Sequence, residues 1–151
     1  MRRFLDTSVV VAAFLQSHPQ HLPSLQIMSL CRPEATFCSV HTFAEIYATF
    51  SALPLRPRLS TAHVLSIIEE LTERVTAVEL GTADYREVIR DLSQRDLRSG
   101  IIYDALLMRC AIKSESDVVV TWNVRHFRAV APAAESRVAT PQELLDSGLA
   151  R

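Results

Sequence analysis

The run Asp117-Val118-Val119-Val120-Thr121 is the feature that most limits the folds open to this chain. β-Branched residues favour strands, and an apolar run without polar alternation is typical of a strand buried on both faces. Such strands occur in parallel sheets, where successive strands are joined by crossovers that usually contain a helix. The run therefore predicts an α/β protein with a central, mostly parallel sheet.

Shorter apolar segments alternate with helical patterns along the rest of the chain. Further strands are predicted near residues 4–5, 35–38, 75–80 and 138–139, with amphipathic or largely apolar helices between them. This alternation predicts a three-layer α/β/α arrangement, with the sheet between two layers of helices. At 151 residues the chain fits a single domain that spans 1–151 and buries its own core.

Small polar residues in front of apolar runs predict where several helices begin. We expect Thr7 or Ser8 to cap the first helix. Ser39 and Thr82 are the expected caps of two later helices. The helix after Thr82 is expected to bury four apolar residues at helical spacing, namely Tyr85, Val88, Ile89 and Leu92.

Composition narrows the function classes. The formal net charge is −1 and the pI is near 6.5, so any nucleic acid would have to meet a local basic patch on a protein that is not basic overall. Five arginines are candidates for a rim that contacts nucleic-acid phosphates, although isolated surface arginines are more often simple solubilising charges. They are Arg56, Arg58, Arg98, Arg125 and Arg128.

The cysteines and the early apolar segment indicate the setting of the protein. Cys31, Cys38 and Cys110 form an odd set without CxxC spacing, which favours neither a disulfide framework nor a zinc site and fits a reducing cytoplasm. The uncharged stretch after Asp6 is interrupted by His18-Pro19-Gln20-His21, well below the length of a membrane span. We expect a cytoplasmic protein without a membrane segment.

Three acidic residues interrupt apolar surroundings. Asp6 follows the first predicted strand, Glu45 lies within an apolar helix, and Asp104 lies in the first turns of another. Asp6 alone has a plain alternative, because a carboxylate at a helix N-terminus also serves as a cap. Asn123 follows the Val118–Val120 strand as Asp6 follows the first strand, so we expect both at the edge of the sheet where ligands bind.

Carboxylates gathered in one crevice repel each other unless a cation joins them. Oxygen donors without His or Cys spacing favour Mg²⁺ or Mn²⁺ over zinc. From spacing alone the site remains a hypothesis, because scattered acids occur in most proteins.

Four segments taken together carry a resemblance to a known family. They are Arg3-Phe4-Leu5-Asp6-Thr7-Ser8, Phe43-Ala44-Glu45-Ile46, Tyr103-Asp104-Ala105-Leu106 and Thr121-Trp122-Asn123-Val124-Arg125-His126-Phe127. In order and spacing the chain resembles the PIN-domain ribonucleases of the VapC toxin type, over essentially its whole length.

The resemblance implies an Mg²⁺- or Mn²⁺-dependent endoribonuclease. It implies that Asp6, Glu45 and Asp104 are metal ligands and catalytic residues, with Asn123 at a fourth position that is often Asp in the family. One charge fewer there should weaken a second metal. The implied supporting residues, which would hydrogen-bond to the acidic cluster, are Thr7, Ser8 and Thr121.

The same resemblance implies partners: an RNA substrate, a cognate antitoxin protein and a second copy of the chain in a homodimer. An alternative stays open, namely a catalytically weak PIN-like module that binds RNA or protein. The presence of all three acids favours the enzyme. A haloacid-dehalogenase-like phosphatase is disfavoured because Ser8 stands where that class has a second acid.

Overall fold

The computed structural model describes residues 1–131 and 137–149. Its strands are β1 Arg3–Leu5, β2 Thr36–Ser39, β3 Thr76–Val78, β4 Val118–Val120 and β5 Val138–Ala139. Its helices are α1 Thr7–Phe14, α2 His21–Ser29, α3 Val40–Ala52, α4 Thr61–Thr72, α5 Thr82–Gln94, α6 Ile101–Lys113, α7 Val124–Val130 and α8 Pro141–Asp146.

The strands form one sheet in the order β3-β2-β1-β4-β5. Each neighbouring pair is parallel, and Phe4 of β1 lies between Phe37 of β2 and Val119 of β4. The predicted sheet is therefore confirmed, and the valine run is next to its centre. The strand predicted at residues 138–139 is also confirmed, and it lies at an edge of the sheet.

Two apolar cores lie on opposite faces of the sheet, because successive strand residues point to opposite sides. Leu5, Val118 and Val120 pack with residues of α1 to α4 and α8 in one core. Phe4 and Val119 pack with residues of α6 and α7 in the other. Helices thus cover both faces of the sheet, as the alternation of strands and helices predicted.

The strand order fixes where a ligand crevice lies. From β1 the chain adds β2 and then β3 on one side. It then crosses back, and β4 pairs with the opposite side of β1. The connections that follow β1 and β4 consequently diverge, which opens a crevice at the carboxyl ends of these two strands. Asp6 comes directly after β1, and Thr121 to Asn123 come directly after β4.

Two predicted helix starts are wrong by one or two residues. The N-cap of α1 is Asp6 rather than Thr7 or Ser8, and the N-cap of α5 is Gly81 rather than Thr82. At α1 the hydroxyls of both candidates are used in hydrogen bonds to carboxylates. The predicted cap Ser39 is confirmed, since its hydroxyl accepts a hydrogen bond from the His41 amide at 3.1 Å.

The predicted inner face of α5 is half right. Val88 and Leu92 are buried, but Tyr85 and Ile89 are exposed. The third buried residue of the helix is Asp84, which α6 supplies with charge partners. The buried face of α5 is therefore the one that presents Asp84 to the neighbouring helix α6, and Tyr85 and Ile89 lie outside it.

Cys31, Cys38 and Cys110 are free and buried, as expected. Burial raises the pKa of the Cys38 thiol to about 12, with a smaller contribution from the neighbouring thiols. Within residues 1–131 and 137–149, none of the helices is long and apolar enough to cross a membrane.

Candidate active site

Asp6 lies at the base of the crevice between β1 and β4. Its amide donates to the Val120 carbonyl at 3.0 Å, which continues the pairing of the two strands by one residue. Its side chain is 4% exposed and makes no capping hydrogen bond to α1. Instead, Asp6 Oδ2 accepts from Ser8 Oγ at 2.5 Å and from Thr121 Oγ1 at 2.7 Å. Asp6 thus occupies the N-cap position of α1, but its carboxylate bonds to Ser8 and Thr121 rather than to the helix amides.

Thr121 connects Asp6 to the segment that carries Asn123. The Thr121 hydroxyl is fully buried, donates to Asp6 and accepts from the Asn123 amide at 2.8 Å. Asn123 is the N-cap residue of α7 and is exposed, and its side chain makes no capping hydrogen bond. Asn123 therefore lies on the loop that leaves β4, two residues after the partner of Asp6.

Glu45 reaches the crevice from the second turn of α3. The Thr7 hydroxyl donates to Glu45 Oε2 and also lies 3.4 Å from the buried hydroxyl of Thr42. On the outer side, His41 Nε2 is 3.7 Å from Glu45 Oε1, one helical turn earlier. The carboxylate is partly buried, so the hydroxyl partner offsets part of its lost hydration.

Asp104 approaches from the first turn of α6. Burial raises the pKa of Asp104; the imidazole of His126, whose Nδ1 is 3.7 Å from Asp104 Oδ2, opposes the shift. The negative charges of Asp6 and Glu45 add to the rise. Two acids far from Asp104 in sequence thus act on it electrostatically across one crevice.

The donor set suits a hard divalent cation. It consists of carboxylate and amide oxygens, and a cation among them would relieve the repulsion between the acids. The side chains do not yet surround a common point. In the part of the chain that the structure describes, no three His, Cys, Asp or Glu side chains are close enough together to hold a metal ion as they stand. The residues fit Mg²⁺ or Mn²⁺ in chemistry, and holding an ion would require their side chains to converge.

Two features of the site were missed in the sequence. Thr42 is a partner of Thr7, and it lies three residues before Glu45, so helical spacing alone placed it on the same face. Trp122 donates from its backbone amide to Ser8 Oγ at 3.1 Å and from Nε1 to the buried Ser24 at 2.9 Å. No sequence pattern indicated that the indole joins α2 to the loop after β4.

The five candidate rim arginines are all exposed. Arg98 forms an ion pair with Asp96 at 2.8 Å, with both side chains about four-fifths exposed. Arg125 lies in the first turn of α7, two residues after Asn123. Of the five arginines, Arg125 is therefore the one nearest in sequence to a candidate ligand, Asn123.

Fold and crevice together define an α/β protein with a carboxylate-lined site at the switch point of a parallel sheet. Residues 3–132 match the PIN domain family. The chain belongs to that family.

Curated relatives include ribonucleases from Mycobacterium tuberculosis. The chain is 28% identical to Ribonuclease VapC27 of strain H37Rv over 115 residues, which cover 76% of this chain and 80% of the relative. It is 26% identical to Ribonuclease VapC40 over 102 residues, which cover 68% and 72% of the two chains.

Two solved structures share the fold. One is VapBC2 from Rickettsia felis bound to a DNA fragment from their promoter, with a TM-score of 0.60, 20% identity and coverage of 85% of this chain and 92% of that chain. The other is VapBC-1 from nontypeable Haemophilus influenzae, with a TM-score of 0.64, 19% identity and coverage of 94% and 99%.

Proposed function

We propose that this chain is an endoribonuclease that depends on Mg²⁺ or Mn²⁺ and is the toxin of a toxin–antitoxin pair. One observation carries the proposal: in a PIN-domain chain, hydroxyl groups hold two carboxylates at the ends of β1 and β4, close enough to a third for their charges to act on it. Ser8 and Thr121 hold Asp6, Thr7 holds Glu45, and the third carboxylate is Asp104. The similarity to Ribonucleases VapC27 and VapC40 supports RNA as the substrate.

In this proposal Asp6, Glu45 and Asp104 would hold the metal, and Asn123 would contribute its carbonyl oxygen. The metal, when bound, supplies activation of a water molecule and neutralises charge that develops on the phosphodiester. Asn123 brings no charge of its own, so the chain favours one tightly held ion over two.

The residues around the acids have positioning roles. Ser8 and Thr121 fix one oxygen of Asp6 from two sides, and Thr7 fixes Glu45. Each hydroxyl holds a carboxylate in one orientation, so less side-chain freedom is lost when a ligand arrives. Such outer contacts typically change metal affinity by about 10- to 100-fold when they are removed.

The proposed partners are an antitoxin protein and a second copy of the chain, and the proposed setting is the cytoplasm. The likeness in fold to chains of VapBC2 and VapBC-1 supports the first partner. The free thiols suit a reducing compartment.

Cleavage of a mixed pool of structured RNAs tests the proposal. Purified chain free of antitoxin is incubated with Mg²⁺, with Mn²⁺ or with chelator, alongside Asp6→Asn and the charge-matched control Asp146→Asn, whose carboxylate lies exposed on α8. We expect discrete cuts that disappear with chelator and with Asp6→Asn and persist with Asp146→Asn.

Cuts that survive chelator or Asp6→Asn would show another nuclease or another mechanism. Binding of RNA without cleavage in either metal would favour the alternative of a catalytically weak binding module, and Asn123 is the residue that would account for it.

A further inference from the structure

A cavity of about 450 Å³ lies beside the carboxylate crevice, at the ends of β2 and β3 and the starts of α3, α5 and α6. Its lining includes aromatic and apolar side chains together with a few polar groups: Ser39, Val40, His41, Leu80, Tyr85 and Tyr103. None of the candidate metal ligands lines this cavity, and the proposed reaction does not use it.

Two of the lining rings are stacked on each other. The rings of His41 and Tyr103 are 5.9 Å apart between centroids, with an angle of 6° between their planes. Both side chains are about half exposed, although large aromatic surface is usually buried when nothing binds to it. A planar ring that entered the cavity would find a stacking surface already in place.

The stacked pair lies next to two of the candidate metal ligands. His41 approaches Glu45 to 3.7 Å, and Tyr103 immediately precedes Asp104. A nucleotide next to the scissile phosphate would therefore pass the aromatic pair. One ring of the pair thus contacts a candidate metal ligand, and the other precedes one in the chain.

The charge of the lining favours a base over a phosphate. Among the described residues that line the cavity there is no Lys or Arg, and Glu79 carries a negative charge. A phosphate would lose its hydration there without a cationic partner, whereas a neutral base would stack and could donate its exocyclic amino group to an acceptor.

We infer that this cavity is a subsite for an unpaired nucleobase, which stacks on the His41–Tyr103 pair and positions the neighbouring phosphodiester at the carboxylates. The inference rests on the proposed ribonuclease function. It predicts cleavage beside an unstacked nucleotide, in a loop or single strand, rather than within a duplex.

The test measures binding in chelator, so that cleavage does not enter. Fluorescence anisotropy compares a short single-stranded oligoribonucleotide with a duplex of the same length. Variants are Tyr103→Ala, Tyr103→Phe, which keeps the ring, and the control Tyr47→Ala, which removes an exposed tyrosine of α3 outside the cavity. A set of oligonucleotides, each with one abasic position, locates the stacked base.

Loss of one stacked base typically weakens binding by about 5- to 150-fold. We expect a loss in that range for Tyr103→Ala on the single strand and little change for Tyr103→Phe or Tyr47→Ala. One abasic position should weaken binding to the unaltered chain and have no further effect on Tyr103→Ala, because both changes remove the same contact.

Three results would overturn the subsite. Tyr103→Ala could bind the single strand as tightly as the unaltered chain, or the unaltered chain could bind neither RNA. A change in sedimentation of Tyr103→Ala that accompanies the loss of binding would assign this face to contact between two copies of the chain. If the unaltered chain cleaves RNA only with metal and Tyr103→Ala binds the single strand as tightly as the unaltered chain, the proposed function stands and only the subsite is refuted.

Discussion

Thr121→Val removes a single hydroxyl from the centre of the site and should destabilise the metal-free protein. The Thr121 hydroxyl is fully buried, donates to the Asp6 carboxylate at 2.7 Å and accepts from the Asn123 amide at 2.8 Å. Valine has nearly the same shape but can make neither hydrogen bond.

Both losses contribute to the expected magnitude. A hydrogen bond to a charged group is worth about 1.5–3 kcal/mol, and a backbone amide left without an acceptor costs about 1–3 kcal/mol. Asn123 is exposed, so water can replace part of the second contribution. We therefore expect the free energy of unfolding to fall by about 3 kcal/mol, which lowers Tm by about 6–12 °C for a chain of this size.

Urea unfolding followed by the fluorescence of Trp122, the one tryptophan of the chain, measures this change. Thr72→Val is the matched control, since the Thr72 hydroxyl is exposed and bonds only within α4. It should change stability by no more than about 0.5 kcal/mol. In an Asp6→Asn background the cost of Thr121→Val should shrink, because the acceptor is then neutral.

Equal costs for Thr121→Val and Thr72→Val would refute the reasoning, since the buried hydroxyl would then contribute nothing to the folded state. An unchanged cost in the Asp6→Asn background would show that the effect does not pass through the carboxylate.

Three further predictions concern charge and ionisation. The pKa of Asp84 is lowered from 3.8 to about 2 by the Gly81 amide, Lys113 and Arg109, so its stabilising contribution is present above pH 4 and is lost as the pH falls towards 2. Urea unfolding at stepped pH should therefore show Asp84→Asn less stable than the unaltered chain at neutral pH and nearly equal to it near pH 2; a constant difference would contradict this. Cys38 should stay unreactive to a thiol-specific reagent until the protein unfolds, because the raised pKa and burial leave no accessible thiolate; rapid labelling of this thiol in the folded protein would argue against the burial. Asn123→Asp should tighten Mn²⁺ binding, measured by calorimetry, and should lower stability in chelator, because it adds a fourth negative charge to the crevice; a variant that binds Mn²⁺ no better would place Asn123 outside the metal site.

The sheet could be predicted because its signal is local. Val118 to Val120 indicate a buried parallel strand without knowledge of any neighbour, and the alternation of strands and helices supplies the layers. The strand that lies beside β1 could not be predicted in this way. The contact between Thr121 and Asp6 joins residues 115 positions apart, and only the strand order brings them together.

The start of α1 shows why helix boundaries were less accurate. Asp6, Thr7 and Ser8 are all good capping residues, so propensity could not choose among them. The choice is tertiary: the Asp6 amide pairs with Val120 of β4, which keeps Asp6 in the extended conformation and starts the helix at Thr7. A preference measured within one helix contains no information about a neighbouring strand.

The prediction of the buried face of α5 was wrong for a related reason. Helical spacing placed Tyr85 and Ile89 on the inner face, but the face actually buried contains Asp84. Its partners Arg109 and Lys113 lie 25 and 29 residues away on α6, and a charge pattern within α5 cannot reveal them. A buried carboxylate paired with cations on another helix is the kind of contact that a periodicity argument misses.

Asp84 and Asp6 are both buried carboxylates, and their different partners separate a structural acid from a candidate ligand. Arg109 and Lys113 neutralise Asp84 at 2.9 and 3.0 Å, so no charge remains there to attract a cation. Asp6 is held by the neutral hydroxyls of Ser8 and Thr121. Hydroxyl donors replace part of the lost hydration while leaving the full negative charge in the crevice. A Lys or Arg in their place would bind the carboxylate more strongly and would cancel the field on which metal binding depends.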